Sequence, residues 1–121
     1  MYDEGEGVAE DNEAAVSWYL KAAEQNHLSS QYNLALMYET GEGVVENDAE
    51  AVKWYLKAAE QGHVAAQYNL ALMYDEGKGV PTDDEAAVKW YLKAAEQGDA
   101  DAQAKLGDMY YTGEGLSLIH I

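Results

Sequence analysis

The residue types that could carry chemistry in this chain recur at fixed phases, and the first of them are paired glycines. A Gly-x-Gly pair occurs four times, beginning at Gly5, Gly41, Gly77 and Gly113. The third copy encloses Lys78, so it could be read as a phosphate loop. A phosphate loop follows a strand, however, whereas each copy here follows a helical pattern. Helix termination by a glycine with φ > 0 explains all four copies, and no nucleotide site is predicted.

Two histidines, His27 and His63, occupy the same position of a repeated pattern, in which the third copy has Asp99. Ligands one repeat apart would be separated by about 10 Å, the spacing of packed helices, which is too far for one ion. These side chains are therefore interpreted as turn residues at the surface, and no metal site is predicted.

Carboxylates are the remaining candidates for catalysis or for metal binding. The run Asp83-Asp84-Glu85 lacks the alternating acids and central glycine of a calcium loop, and it fits a helix cap followed by first-turn acids. Carboxylate pairs of the kind that hydrolyse glycosides occur by chance in a chain this acidic. No S-x-x-K motif is present, and there is no cysteine. The sequence therefore predicts no catalytic residue, no cofactor and no enzyme activity.

The elements that carry these residues repeat with a period of 36. Twelve residues from Ala51 to Gly62 recur unchanged from Ala87 to Gly98, with a near copy from Ala15 to Asn26. A fixed period of this length is the signature of a solenoid.

Each period predicts two helices. Helix B, which carries the Trp-Tyr pair, is expected at about 12–24, 48–60 and 84–96, after caps at Asp11, Asn47 and Asp83. Helix A is expected at about 28–40, 64–76 and 100–112. Apolar spacings of three and four place Ala51, Tyr55, Ala58 and Ala59 on the buried face of helix B. The fold class predicted is all-α, an αα-hairpin solenoid of about three repeats.

The charge limits the partners. The chain has 23 acidic residues, seven lysines and no arginine, for a formal charge of −16. Binding to nucleic acid or to an anionic membrane needs clustered basic residues, so neither is expected. No apolar run reaches the ~20 residues of a membrane span. A protein or peptide partner is expected, with a basic segment favoured; the oligomeric state and the compartment, cytoplasmic or exported, are left open.

The repeat boundaries predict a piece of a longer array. A partial repeat at 1–27 precedes full repeats at 28–63 and 64–99 and a partial repeat at 100–115. Met1 matches the phase of Met37, inside a helix A, so it is interpreted as an internal residue. Residues 116–121 break the pattern and resemble a translated transposase end sequence, so they are interpreted as a non-native tail that includes His120.

The combined motif is Ala-x-Ala-Gln-x-x-Leu-Ala/Gly-x-x-Tyr, then Gly-x-Gly-Val and an acid, then Ala-x-x-Trp-Tyr-x-Lys-Ala-Ala-x-x-Gly. It resembles the Sel-1-like repeat family, a branch of the tetratricopeptide-like solenoids. The resemblance implies a right-handed superhelix, with a concave groove lined by helices A, that acts as a non-catalytic adaptor. Two alternatives stay open: a fragment of a repeat enzyme, since Cys-rich relatives are credited with β-lactam hydrolysis, or an inert spacer.

If helices A line a groove, the face opposite their core stripe is the candidate binding surface. We call these twelve positions the groove face: Ser29, Tyr32, Leu36, Glu39, Ala65, Tyr68, Leu72, Asp75, Asp101, Ala104, Asp108 and Tyr111. Tyrosine is common at interfaces, and the acids would complement a basic peptide. The competing interpretation is that the Tyr and Leu members pack between neighbouring helices as core.

Overall fold

Six helices, each of thirteen residues, form the part of the chain that the computed structural model describes, residues 11–112. They are α1 (Asn12–Glu24), α2 (Leu28–Thr40), α3 (Asp48–Glu60), α4 (Val64–Glu76), α5 (Asp84–Glu96) and α6 (Ala100–Thr112). The predicted helices B are α1, α3 and α5, and the predicted helices A are α2, α4 and α6. The all-α hairpin solenoid is confirmed, and each helix packs on the next in chain order. The interpretations of Met1 and of residues 116–121 lie outside the described residues.

Side-chain caps fix where the helices B begin. Oδ1 of Asp11, Asn47 and Asp83 accepts hydrogen bonds from the backbone N–H three residues on, at 3.0, 3.1 and 3.0 Å. The backbone N–H of Asn47 donates to the carbonyl of Tyr38 at 2.8 Å. Each cap thus satisfies an otherwise free N–H, and at Asn47 it also ties the new helix to the end of the previous one.

Left-handed residues end the helices. Gly41 and Gly77 follow α2 and α4 with φ of 79° and 71°. The helices B end in the same way at Asn26, Gly62 and Gly98, where φ is 71°, 90° and 93°. Asparagine is one of the few non-glycine residues that tolerate this region, which explains the substitution at position 26.

The second glycine of each loop is required by packing as well as by the turn. A Cβ on Gly79 would lie 2.4 Å from the carbonyl oxygen of Asp48, at the start of the preceding helix B. Gly43 has the same relation to Asn12, also at 2.4 Å. These loops therefore touch the previous repeat, a contact that the reversal of the chain alone did not predict.

The core is built from the repeated Trp-Tyr stretch. Ala51, Tyr55 and Ala58 are fully buried, as are Leu34 and Leu70 on the facing helices A. Burial of such side chains contributes about 1.5–3 kcal/mol each for the larger ones. The copies do not all pack alike, because several positions of α1 are less buried than their counterparts in α3. The difference is largest at the tryptophans: Trp54 and Trp90 are 4% and 5% exposed, whereas Trp18 is 66% exposed.

Candidate groove face and its supporting contacts

The groove face keeps its side chains accessible in all three helices A. Six members are exposed and six are half-buried, and none is fully buried. The exposed members are Ser29, Ala65, Asp101, Ala104, Asp108 and Tyr111. The half-buried members are Tyr32, Leu36, Glu39, Tyr68, Leu72 and Asp75. The apolar half-buried members also pack against the core, so these positions support the fold and still present surface.

Pairs of tyrosine rings connect this face to buried tyrosines of the helices B. The Tyr32 ring lies 5.9 Å from the ring of Tyr55, and the Tyr68 ring lies 5.8 Å from that of Tyr91. Both pairs are tilted at 52–53°, within the range that aromatic quadrupoles favour. The Tyr32 ring is also covered by the His63 ring at 4.6 Å. Tyr32 and Tyr68 are consequently held in fixed orientations, whereas Tyr111 is 92% exposed.

Two of the four acids of the groove face, Glu39 and Asp75, accept hydrogen bonds from buried phenols. Tyr55 donates to Glu39 at 2.6 Å, and Tyr91 donates to Asp75 at 3.2 Å. Burial raises the pKa of both phenols, and the adjacent carboxylates raise the two pKa values further. The tyrosines therefore stay protonated, and each carboxylate keeps an oriented neutral donor.

The two acids differ in their neighbouring charge. Nζ of Lys78 lies 3.1 Å from Glu39, and this bond raises the lysine pKa. Among residues 11–112, no basic side chain lies close enough to Asp75 to form an ion pair with it. The groove face is therefore closer to neutral beside α2 and more negative beside α4 and α6, where Asp101 and Asp108 are exposed.

His27 and His63 cap helices, a role that the sequence interpretation missed. Nδ1 of His27 and His63 accepts the backbone N–H of Ser30 and Ala66 at 3.2 and 3.1 Å, and so caps α2 and α4. Asp99 caps α6 in the same way at 2.9 Å. Burial lowers the pKa of His63. The alternation of His with Asp, a common cap residue, was the signal that could have revealed this role.

A glutamine relay between repeats was also missed. Gln61 donates to the Gln31 side chain at 2.8 Å, and Gln31 donates in turn to the carbonyl of Ala23 at 3.2 Å. Gln97 and Gln67 repeat the first bond at 2.8 Å. The recurrence of glutamine at both positions with the 36-residue period was visible in the sequence.

Over residues 11–112 no group of three His, Cys, Asp or Glu side chains could hold a metal ion. Over the same residues no helix is long and apolar enough to cross a bilayer.

Comparison with known proteins agrees with this architecture. A search of curated protein sequences gave no match. A Sel1 repeat protein from Oxalobacter formigenes is 47% identical with a TM-score of 0.88, over 94% of this chain and 47% of that one. A protective antigen of uropathogenic Escherichia coli that displays an SLR fold is 45% identical with a TM-score of 0.89, over 93% of this chain and 24% of that one.

A third structure is more distant. Cysteine-rich protein B of Helicobacter pylori is 29% identical with a TM-score of 0.70, over 74% of this chain and 67% of that one. The chain spans less than half the length of the first two proteins. The profile of the Sel1 repeat matches residues 1–27, 28–63, 64–99 and 100–117. Because these matches extend over nearly the whole sequence and the helices fall in the same register, the chain belongs to the Sel1 repeat family.

Proposed function

We propose that this chain is a non-catalytic scaffold that binds a peptide or protein segment along the groove face of helices A, and that the segment is basic. Sel1 repeats generally mediate protein–protein interactions. The observation that carries the proposal is the accessible row of tyrosines and acids on three successive helices A, in a chain of formal charge −16. Aromatic contact area with adjacent carboxylates suits lysine and arginine side chains.

The acidic end of the groove face gives the sharpest test. Asp75→Lys is unsuitable, because it would remove the acceptor of the buried Tyr91 hydroxyl. Asp101 and Asp108 are exposed, and their side chains make no hydrogen bond or ion pair with described residues. The double variant Asp101→Lys/Asp108→Lys should therefore reverse the local charge with little effect on folding.

The probe is a basic peptide selected from a random displayed library against the unmodified protein. Its affinity should fall at least tenfold in the Asp101→Lys/Asp108→Lys variant, since several charges change sign at the contact. The matched control, Glu42→Lys/Glu46→Lys, changes the net charge equally at exposed loop positions and should alter the affinity less than about threefold. Equal losses in both variants would reduce the effect to net charge and contradict a groove site.

Ionic strength provides a second readout. Because the screening length shortens to about 8 Å at physiological salt, the affinity of the basic peptide should fall clearly between low and physiological ionic strength. An affinity that does not change with salt would contradict the proposal that the ligand is basic. A selection that yields no peptide above background would favour the spacer interpretation.

A further inference from the structure

The lysines of this acidic chain are concentrated on the helices B, away from the groove face. Four of the seven lysines line two pockets, Lys53 and Lys57 in the first and Lys89 and Lys93 in the second. The pocket volumes are about 350 and 380 Å³. Each pocket is shared between a helix B and the preceding repeat, so the two are related by the 36-residue period.

A buried tryptophan forms a wall of each pocket. In the first, Nζ of Lys53 and of Lys57 lie 5.1 and 5.9 Å from the ring centre of Trp54. In the second, the corresponding distances from Lys89 and Lys93 to Trp90 are 4.9 and 5.8 Å. The lysine stems cover the indole while the ammonium groups remain at the surface, as amphipathic side chains do.

The tryptophan of the first pocket also has an unpaired donor. Trp54 is 4% exposed, and its Nε1 is buried without a hydrogen-bond acceptor among residues 11–112. An indole N–H can only donate, and leaving it unpaired costs free energy. The remaining polar residues of this wall are Asn26 and Gln31, with Glu24 as the single acid. The pocket lining thus carries two positive charges and one negative charge.

The second pocket has the same excess of positive over negative side chains. Lys89 and Lys93 face one acid, Glu60, with Gln67 beside them. In the first pocket, Nζ of Lys53 also lies 3.7 Å from a carboxylate oxygen of Glu50 on the same helix. Because the Lys53 side chain is 52% exposed, this ion pair is weak and can give way to a ligand. Both pockets therefore carry a net positive charge, on a protein whose remaining surface is dominated by acids.

We propose that the two pockets bind consecutive carboxylate side chains of an extended acidic segment of a partner protein. Charge complementarity selects the carboxylate, because each pocket offers two ammonium groups beside an indole. At the spacing of packed helices, about 10 Å per repeat, a polyproline II segment fits, because it advances about 3.1 Å per residue and returns its side chains to one face every third residue. The matching ligand therefore has acidic residues three positions apart. This surface is separate from the groove face and goes beyond the basic-peptide site.

The three tryptophan indole N–H signals in a proton–nitrogen NMR spectrum test the proposal site by site. The probe is a synthetic peptide containing Glu-Pro-Pro-Glu, which favours an extended backbone. Saturable shifts are expected for the signals of Trp54 and Trp90 and not for that of Trp18, which is 66% exposed. The matched peptide with Gln in place of both Glu residues should cause no saturable shift. Shifts of all three signals together, or of none, would overturn the proposal.

Lysine substitutions identify the groups involved. Lys53→Gln/Lys57→Gln should weaken binding of the Glu peptide by about five- to tenfold, as the loss of two partly exposed charge contacts allows. Lys21→Gln is the control: Lys21 holds the position of Lys57 one repeat earlier, 6.0 Å from Trp18, and should change the affinity less than twofold by the same reasoning. An equal loss in the control would assign the effect to net charge alone.

Two further measurements keep the interpretation specific. The indole signals of the double variant should keep their native dispersion without peptide, so that a loss of binding is not a loss of fold. A shift of the Trp54 and Trp90 signals with protein concentration alone would identify a second copy of the chain as the occupant and would overturn the partner-peptide proposal. Failure of acidic-peptide binding would leave the basic-peptide test of the groove face unaffected.

Discussion

At the scale of single residues, the two buried tyrosines of the helices B show how strongly polar contacts constrain this solenoid. Tyr55 and Tyr91 are 0% exposed, yet each hydroxyl reaches a carboxylate on the preceding helix A. The raised pKa of each phenol means that the fold favours the protonated form. The stability that this provides is complete below the ordinary tyrosine pKa of about 10 and is lost as the pH rises above it.

We therefore expect the free energy of unfolding to fall above about pH 10, by about 1.4 kcal/mol per pH unit for each of these tyrosines. Removing both hydroxyls, in Tyr55→Phe/Tyr91→Phe, should flatten this alkaline slope. Urea unfolding at a series of pH values measures it. Tyr74→Phe is the control, because Tyr74 is half-buried and its hydroxyl makes no hydrogen bond with the described residues. A slope unchanged in the double variant would show that other groups govern the alkaline limit.

At the scale of the elements, the loop glycines that touch the preceding repeat are distinguished from those that only end a helix. Gly62 and Gly79 both have positive φ, 90° and 78°, but only Gly79 lies against another backbone. Gly62→Ala should cost about 1–2 kcal/mol, the penalty of a left-handed residue. Gly79→Ala should cost more, because its Cβ would meet the Asp48 carbonyl at 2.4 Å.

Chemical denaturation of the two alanine variants tests this difference. The Gly79 variant should be less stable than the Gly62 variant by about 1 kcal/mol or more. Equal losses would mean that the loop moves freely away from the start of α3.

The sequence predicted the elements well because their signals are local. Cap residues such as Asn47 and stop residues such as Gly62 define the helix bounds directly, and the predicted bounds agree with the structure. The contact of Gly79 and the bond from Tyr55 to Glu39 join residues sixteen or more positions apart. Such contacts depend on how the hairpins stack, which no local pattern specifies. The twelve positions of the groove face remain a prediction from helical spacing.

At the scale of the whole molecule, position along the array determines what an identical side chain does. Trp54 and Trp90 are closed off by the preceding repeat, whereas Trp18 at the first described helix is 66% exposed. The 36-residue period alone does not distinguish the three tryptophans.

The tryptophans consequently give a comparison within one chain. Trp54→Ala should lower the free energy of unfolding by about 3–5 kcal/mol, as truncation of a buried aromatic does. Trp18→Ala should lower it by less than about 1 kcal/mol. Equilibrium unfolding in urea, followed by circular dichroism, measures both. Comparable losses would indicate that Trp18 is covered in solution.

The glutamine relay gives the array a direction. In each bond the later glutamine is the donor and the earlier one the acceptor, from Gln61 to Gln31 and from Gln97 to Gln67. Gln31 presents its amide oxygen to Gln61 because its own amide nitrogen donates to the Ala23 carbonyl, and Gln67 is held in the same way by the Ala59 carbonyl. Each hairpin thus sets the amide orientation that the next one meets, so an added copy of the repeat would offer the same acceptor to its successor.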